Sequence, residues 1–171
     1  KNIEKMNGQV YIDSEEDQWT RLTIKLPLTL AIMKALIVQV AEEFFAIPLS
    51  IVVELVKLRE TKVKTVDRNE VVVLRDKIIP LVNLTEVLES GNGAGHEDSS
   101  IIICNVLDKT IGLKVRSVIG QEEVVIKPLG EFLRHVKWVA GATVRGDGKV
   151  ILILDIATII NGLSKHKSVA A

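Results

Sequence analysis

The stretch Leu28–Leu55 is almost continuously apolar and carries four formal charges, so the way it folds constrains the rest of the chain. A membrane helix would place Glu42 and Glu43 near the bilayer centre at high cost. One long helix is disfavoured because β-branched and aromatic residues dominate and Pro48 would interrupt it. Two strands joined by a polar turn at 41–43 account for the whole pattern. Both strands are apolar on both faces, which predicts a hairpin buried between layers.

The chain repeats this pattern, which indicates an internal duplication. Residues 36–49 align by apolar and polar class with residues 102–115, at an offset of 66. Residues 78–88 align in the same way with residues 150–160, at an offset of 72. Each half is therefore predicted to contain a hairpin, a third strand, a polar connection, a second hairpin and a short helix.

The elements after the first hairpins can be placed from their composition. Third strands are expected at Val52–Leu58 and Val115–Val118, polar connections at 59–69 and 120–137, and helices at Leu84–Leu88 and Ile156–Ile160 with Asn83 and Asp155 as N-caps. Regularly spaced short strands predict an all-β chain with one small barrel per half. The predicted boundaries are residues 1–27 for an N-terminal helix end and hairpin, 28–90 and 100–162 for the barrels, 91–99 for a linker and 163–171 for a flexible tail.

Composition excludes several classes of function. Lys+Arg and Asp+Glu both number 22, so no net charge attracts nucleic acid or anionic lipid. Aromatic residues make up 4% of the chain, too few for base-stacking platforms. The single cysteine, Cys104, lies in an apolar run and is interpreted as a core residue in a reducing compartment.

Three stretches carry a family resemblance: Lys25–Ile32, Ala46–Leu49 and Gly120–Leu129. Taken together they resemble the C-terminal regulatory part of the chemotaxis histidine kinase CheA, which is a CheW-like domain. The resemblance implies two side-by-side five-stranded SH3-like barrels with short helices. Residues 1–27 resemble the last helix and strands of the kinase's ATP-binding domain, so the chain is expected to be a piece of a longer protein.

The same resemblance implies an adaptor role without catalysis, cofactor or metal. The implied partners are a CheW-type adaptor protein, the cytoplasmic tips of chemoreceptors and other domains of the parent kinase, with no direct insertion into the membrane. The implied location is the cytoplasm, at chemoreceptor arrays. The implied contact residues are Ser50, Ile51, Val52, Val53, Leu74, Arg75 and Asp76. Asp76 stands where the family mostly has glycine.

The sequence offers no catalytic constellation as an alternative. His96 lies in the polar linker, His135 has no neighbouring nucleophile and His166 lies in the polar tail. We therefore expect no ATPase or kinase activity from residues 1–171. Two other hypotheses stay open: a free-standing CheW-type adaptor, and a nucleic-acid-binding pair of small barrels that the zero net charge disfavours.

Overall fold

The computed structural model describes residues 9–25, 32–66, 69–88, 99–129, 136 and 138–168, with side chains described up to residue 163. The chain divides into two compact units, Lys1–Ala31 and Ile32–Ala171. The predicted helix end at Lys1–Met6, the 27/28 boundary and most of the linker at 91–99 lie outside the described residues.

The first unit contains one antiparallel hairpin of β1 (Gln9–Glu15) and β2 (Trp19–Lys25). Because side chains alternate across a strand, one face of the hairpin carries the aliphatic residues Val10, Ile12, Leu22 and Ile24, with Ser14 and Thr20 next to the turn. The other face is polar and aromatic, with the Arg21 guanidinium 5.2 Å from the centre of the Trp19 ring. The hairpin predicted within residues 1–27 is thus present.

The second unit is built almost entirely of strands. Its first half contains β3 (Ile32–Val40), β4 (Glu43–Pro48), β5 (Val52–Lys57), β6 (Lys62–Val66), β7 (Asn69–Leu74), β8 (Lys77–Asn83) and helix α1 (Leu84–Val87). Its second half contains β9 (Ser100–Val106), β10 (Lys109–Val115), β11 (Ser117–Val125), β12 (Val139–Val144), β13 (Val150–Leu154) and helix α2 (Ile156–Ser168). Short 3₁₀ turns lie at Leu49–Ile51 and Leu58–Glu60.

The strands form two sheets, and each sheet takes strands from both halves. The six-stranded sheet has the order β5-β9-β10-β8-β7-β6, and the five-stranded sheet has the order β11-β3-β4-β13-β12. The first hairpin of each half is therefore inserted into the sheet of the other half. This differs from the predicted boundaries of 28–90 and 100–162, which assigned each half a barrel of its own.

The duplication is present in the strand registers. Ala46 of β4 lies beside Ile153 of β13 in parallel, and Gly112 of β10 lies beside Leu81 of β8 in the same way. These two pairs are related by the offsets of 66 and 72 that the sequence predicted. The exchange of hairpins is therefore reciprocal.

The buried residues form three clusters. One is lined by the five-stranded sheet alone, one by the six-stranded sheet alone, and the third lies between the two sheets. Along β3, Ala35 and Ile37 face the interior of the five-stranded sheet, whereas Leu36 and Val38 face the cluster between the sheets. At an offset of 66 on β9, Ile101 and Ile103 face the six-stranded interior, whereas Ile102 and Cys104 face the cluster between the sheets. The predicted burial of the first hairpin on both faces is confirmed for both halves.

Three element boundaries differ from the sequence prediction. The third strand of the second half is Ser117–Val125 and not Val115–Val118, because its alternating polar residues lie on an edge strand whose outer face is in water. Strand β6 lies in the expected polar connection 59–69 for the same reason. Helix α2 continues to Ser168, into the expected tail, because Leu163 extends its apolar stripe by a further turn.

Both predicted helix N-caps are confirmed. Thr85 N donates to Asn83 Oδ1 at 3.2 Å, and Thr158 N donates to Asp155 Oδ1 at 3.0 Å. Each bond satisfies a backbone N–H that the first helical turn leaves without an internal partner.

Trp138 fixes α2 against the cluster between the sheets. Its backbone has a φ of 70°, an uncommon conformation for a bulky residue, and its carbonyl accepts the Asp155 N–H at 2.8 Å. Its ring lies directly on Gly162, where an added Cβ would stand 2.1 Å from Trp138 Cη2. Only a residue without a side chain fits under this ring.

We predict that Gly162→Ala lowers the free energy of unfolding by about 1–2 kcal/mol. Alanine is the better helix former by about 1 kcal/mol. A Cβ 2.1 Å from the ring carbon puts the clash at the upper end of the about 1–3 kcal/mol that overpacking costs. Urea unfolding followed by circular dichroism measures the difference. Asn161→Ala, at the exposed neighbouring position, is the control and should change the value by less than about 0.5 kcal/mol. An unchanged midpoint for Gly162→Ala would contradict the packing.

A second prediction concerns Thr143, whose Oγ1 is buried with no hydrogen-bond partner in the described part of the chain. Thr143→Val keeps the shape and removes the unpaired hydroxyl, so it should raise the free energy of unfolding by about 1 kcal/mol. Thr143→Ser, which keeps the hydroxyl and deletes a methyl group, should lower it by a similar amount. Destabilisation by Thr143→Val would show that the hydroxyl has a partner.

Candidate protein-interaction surface

The two predicted contact segments, Ser50–Val53 and Leu74–Asp76, meet in the folded chain. Arg75 Nη2 lies 2.9 Å from Glu54 Oε2, which joins residues 21 positions apart in sequence. Glu54 belongs to edge strand β5 and Arg75 to the β7–β8 turn, so this contact requires the six-stranded sheet to curl. We call the exposed residues of these segments, together with Glu54, the first surface.

Local geometry decides which side chains of the first surface are exposed. The β5–β9 register shifts between Val52 and Glu54, so Val53 lies in a β-bulge and 61% of it is exposed. Arg75 and Asp76 have φ values of 47° and 64°, which identifies a type I′ turn. Non-glycine residues in such a turn carry strain, which at Asp76 is reduced by the tolerance of Asp for this region.

Four of the seven predicted contact residues are exposed, and three are not. The exposed residues are Ser50, Val53, Arg75 and Asp76. Ile51 and Val52 are half-buried against the cluster between the sheets, and Leu74 is half-buried against the six-stranded interior. These three side chains pack beneath the first surface, and only a small part of each is accessible to a partner.

A related surface exists on the five-stranded sheet, and the sequence prediction missed it. Its bulge lies between Val118 and Gly120 and exposes 46% of Ile119, the residue at an offset of 66 from Val53. Arg145 Nε, beside the β12–β13 turn, lies 3.1 Å from Glu122 Oε1 on edge strand β11. We call this the second surface. Applying the offset of 66 to the predicted contact residues would have found Ile119.

Each half also exposes one aliphatic side chain near the turn of its second hairpin. Ile78 follows the β7–β8 turn and is 68% exposed, and Val150 follows the β12–β13 turn and is 67% exposed. The two are related by the offset of 72. Each of the two sheets therefore carries an Arg–Glu pair, one apolar side chain exposed at a bulge and one exposed after its second-hairpin turn.

Two kinds of reactive group can be assessed within the described residues, a free thiol and a cluster of metal ligands. Burial raises the pKa of the Cys104 thiol from 9.0 to about 12, so the thiolate that could act as a nucleophile is suppressed. In the described ranges, no three His, Cys, Asp or Glu side chains converge as metal ligands. Neither of the two helices described is long and apolar enough to cross a bilayer.

Comparison with known proteins identifies the family. Residues 34–164 match the family model of the CheW-like domain. The chain belongs to the CheW-like domain family. A CheW-like domain is a non-catalytic scaffold domain, so the absence of catalysis that the sequence predicted is in keeping with the family. The predicted resemblance to CheA is also confirmed by the relatives that follow.

This CheW-like domain is similar to part of a sensor histidine kinase and of several chemotaxis proteins named CheA. It is 45% identical over 161 residues to the sensor histidine kinase CheAY of Helicobacter pylori, covering 94% of this chain and 20% of that protein. It is 39% identical over 160 residues to CheA of Bacillus subtilis, covering 92% and 24% respectively. It is 35% identical over 168 residues to CheA of Treponema pallidum, covering 96% and 21%. The chain thus spans about a fifth to a quarter of the length of these relatives.

The fold is shared with a solved structure. The scaffolding protein TtCheW from Thermoanaerobacter tengcongensis superposes with a TM-score of 0.66 at 26% identity, covering 74% of this chain and 91% of that one. The mainly β architecture with two sheets is therefore that of a CheW-like domain.

The raised pKa of Cys104 gives a prediction for this CheW-like domain. A shift from 9.0 to about 12 lowers the thiolate fraction near pH 8 about a thousandfold, and burial blocks access as well. A disulfide reagent such as DTNB should therefore react slowly with the native protein and within seconds in concentrated urea. Because the folded-state pKa is the higher one, burying this thiol stabilises the fold fully below pH 9, and the contribution is lost as pH rises through about 12. Rapid labelling of the native protein at pH 8 would contradict the burial.

Proposed function

We propose that this chain is the regulatory scaffold domain of a chemotaxis sensor histidine kinase. It binds a CheW-type adaptor and chemoreceptor tips and couples the state of the receptor to kinase activity. Membership of the CheW-like family and similarity to CheA over 92–96% of the chain support this function. In this proposal residues 1–27 are the end of the preceding ATP-binding domain, and the protein acts in the cytoplasm at receptor arrays.

We infer that the two sheets are the two SH3-like barrels expected of the family. An antiparallel bridge between Lys127 and Ala142 connects the chain after β11 to β12, so the two edges of the five-stranded sheet approach each other. In the six-stranded sheet, the contact between Arg75 and Glu54 and the short connection from β5 to β6 favour the same curling. The two barrels then share the cluster of buried residues between the sheets.

The observation that carries the scaffold function is the occurrence of the first and second surfaces on different sheets. Each surface exposes a bulge residue, Val53 or Ile119, that belongs to an edge strand. Edge strands and exposed apolar side chains favour association with another protein. A domain with two related surfaces can hold two partners at once, which a connector requires.

The interface we propose relies on apolar contact with a polar border. Val53 and Ile78 supply exposed apolar area on the first barrel, and the pair of Arg75 with Glu54 supplies charges at its border. The chain has no net charge, so nonspecific electrostatic attraction contributes little. Apolar burial in the centre of the contact with charge at the rim is the common arrangement in protein interfaces.

One alternative has an observation in its favour. The match to TtCheW covers 91% of that scaffolding protein, so a free-standing adaptor would have the same fold. The similarity to the CheA proteins reaches across 92–96% of this chain, whereas the match to TtCheW covers 74% of it. The longer similarity favours the kinase domain.

We predict that the chain binds the CheW-type adaptor of its organism with a Kd near the micromolar range, or about −8 kcal/mol. Val53→Glu places a charge in an apolar contact and should weaken binding about tenfold or more, and Ile119→Glu tests the second surface in the same way. Titration calorimetry gives both affinity and stoichiometry.

Val66→Glu is the matched control because Val66 is an exposed valine on β6, the other edge of the six-stranded sheet. It should leave the Kd within about twofold of the wild-type value. Equal weakening by all three substitutions would indicate a nonspecific effect of charge. Absence of binding by a folded wild-type chain would refute the adaptor role.

A further inference from the structure

Among the described strands, the chain passes from one sheet to the other at two places. From β4 to β5 it crosses through the 3₁₀ turn Leu49–Ile51, and from β10 to β11 it crosses through Arg116 alone. Any shift of β11 relative to β10 therefore has to be absorbed in the backbone of one residue. The contacts of Arg116 thus bear directly on the position of edge strand β11, which carries the second surface.

Arg116 and Ser117 are bonded to the β3–β4 hairpin at four points. The Arg116 N–H donates to the Gln39 carbonyl at 2.9 Å, and Ser117 Oγ donates to Gln39 Oε1 at 3.2 Å. Arg116 Nη1 donates to the Ala41 carbonyl at 3.1 Å and also to Glu42 Oε1. Hydrogen bonds from a charged guanidinium are stronger than those between neutral groups. We call these four bonds the Arg116 clamp.

The clamp lies immediately before the bulge of the second surface. The register between β3 and β11 shifts between Val118 and Gly120, which leaves Ile119 without an opposing residue. Because a bulge sets two residues of one strand against one of the other, it persists only while the strand keeps its register on both sides. After the bulge, β11 is held by the ion pair of Glu122 with Arg145. Before the bulge, it is held by the clamp.

Without the clamp, a shift of one residue would close the bulge. Val118 lies opposite Val38, whose side chain packs into the cluster between the sheets. If the start of β11 moved by one residue along β3, Ile119 would replace Val118 and its side chain would enter that cluster, because opposite residues share a face. Removing an isoleucine from water is favourable. The clamp therefore acts against apolar burial and keeps 46% of Ile119 exposed.

The bulge of the first surface, at Val53, is anchored in another way. Leu49 and Ile51 pack against the cluster between the sheets, and the Val52 N–H donates to the Leu49 carbonyl. The turn before β5 is thus held by apolar packing and by its own backbone. A substitution at Arg116 should therefore affect the second surface and leave the first surface unchanged.

We propose that Arg116 is a positioning residue for the second surface. Its guanidinium ties the start of β11 to the β3–β4 hairpin and so sets the register that exposes Ile119 to a partner. Arg116 acts through Ile119 and takes no part in the contact itself. The assignment of that partner as the CheW-type adaptor rests on the proposed function.

Labelling of Ile119→Cys by DTNB tests the register without any partner. The introduced thiol should react rapidly, since the native thiol of Cys104 is buried. Adding Arg116→Ala should slow the reaction about tenfold or more, because the introduced thiol then enters the cluster between the sheets. Adding Arg116→Lys instead keeps a cation of similar reach and should restore most of the rate.

The sign of the change separates positioning from simple stabilisation. If Arg116 only stabilised the fold, its loss would loosen β11 and speed the labelling. An unchanged or faster rate in the Arg116→Ala background would therefore overturn the proposal. Should Arg116→Ala fail to fold, as judged by circular dichroism, Glu42→Ala removes one bond of the clamp and should slow the labelling about twofold or more. An unchanged rate with Glu42→Ala would then overturn the proposal.

Adaptor titration with Ile119 intact gives the functional measurement. Arg116→Ala should raise the Kd about tenfold, and combining it with Ile119→Glu should weaken binding no further, because both changes act on one contact. The effects of Arg116→Ala and Val53→Glu should be independent, since these residues lie on different sheets.

Arg59→Gln is the matched control for the titration. Arg59 Nε lies 3.8 Å from Glu60 Oε1 within a 3₁₀ turn, so the substitution removes an ion pair of arginine away from β11. It should leave the Kd within about twofold of the wild-type value. Wild-type affinity for a folded Arg116→Ala variant would overturn the positioning role. If the wild-type chain binds no adaptor, the proposed function fails, and the labelling rates alone decide the role of Arg116.

Discussion

The burial of two hairpins on both of their faces is the constraint on which the rest of the fold depends. Along β3 and β9, successive side chains enter different clusters, so a residue such as Leu36 packs between the sheets while its neighbour Ile37 packs inside one sheet. Each buried aliphatic side chain contributes about 1.5–3 kcal/mol. Because each hairpin lies in the sheet of the other half, neither half can complete its core alone, and we expect the second unit to fold cooperatively.

The reciprocal exchange also explains why the surface features occur in pairs. Bulges at Val53 and Ile119 follow from one register repeated at an offset of 66, because the third strand of each half pairs with the first strand of the exchanged hairpin. The Arg–Glu pairs arise where each curled sheet brings its second-hairpin turn close to its edge strand. A single folding arrangement thus generates two related exposed surfaces, one on each sheet.

Much of this fold could be predicted from sequence because its signals are local. The hairpins, the turn at Arg75–Asp76 and the caps at Asn83 and Asp155 follow from apolar periodicity and side-chain chemistry within a few residues. The strand order could not be predicted, because Ala46 on β4 is as compatible with a strand of its own half as with Ile153. The two predicted contact segments come from the family resemblance and stay a prediction. The ion pair of Arg75 with Glu54 that brings them together depends on the curling of the sheet, which no local sequence pattern encodes.

The contrast between buried strand positions and exposed turn or bulge positions also indicates where partner specificity is expected. Val38 and Cys104 both pack into the cluster between the sheets, so a substitution at either position alters the packing of both hairpins. The bulges are free of this restriction, and there the halves differ, with Val53 in one and Ile119 in the other. Such divergence allows one duplicated framework to present two different recognition sites without altering its core. Exposed residues of the turns and bulges are therefore expected to determine which partner binds. Buried residues of the strands beneath them determine the stability of the fold.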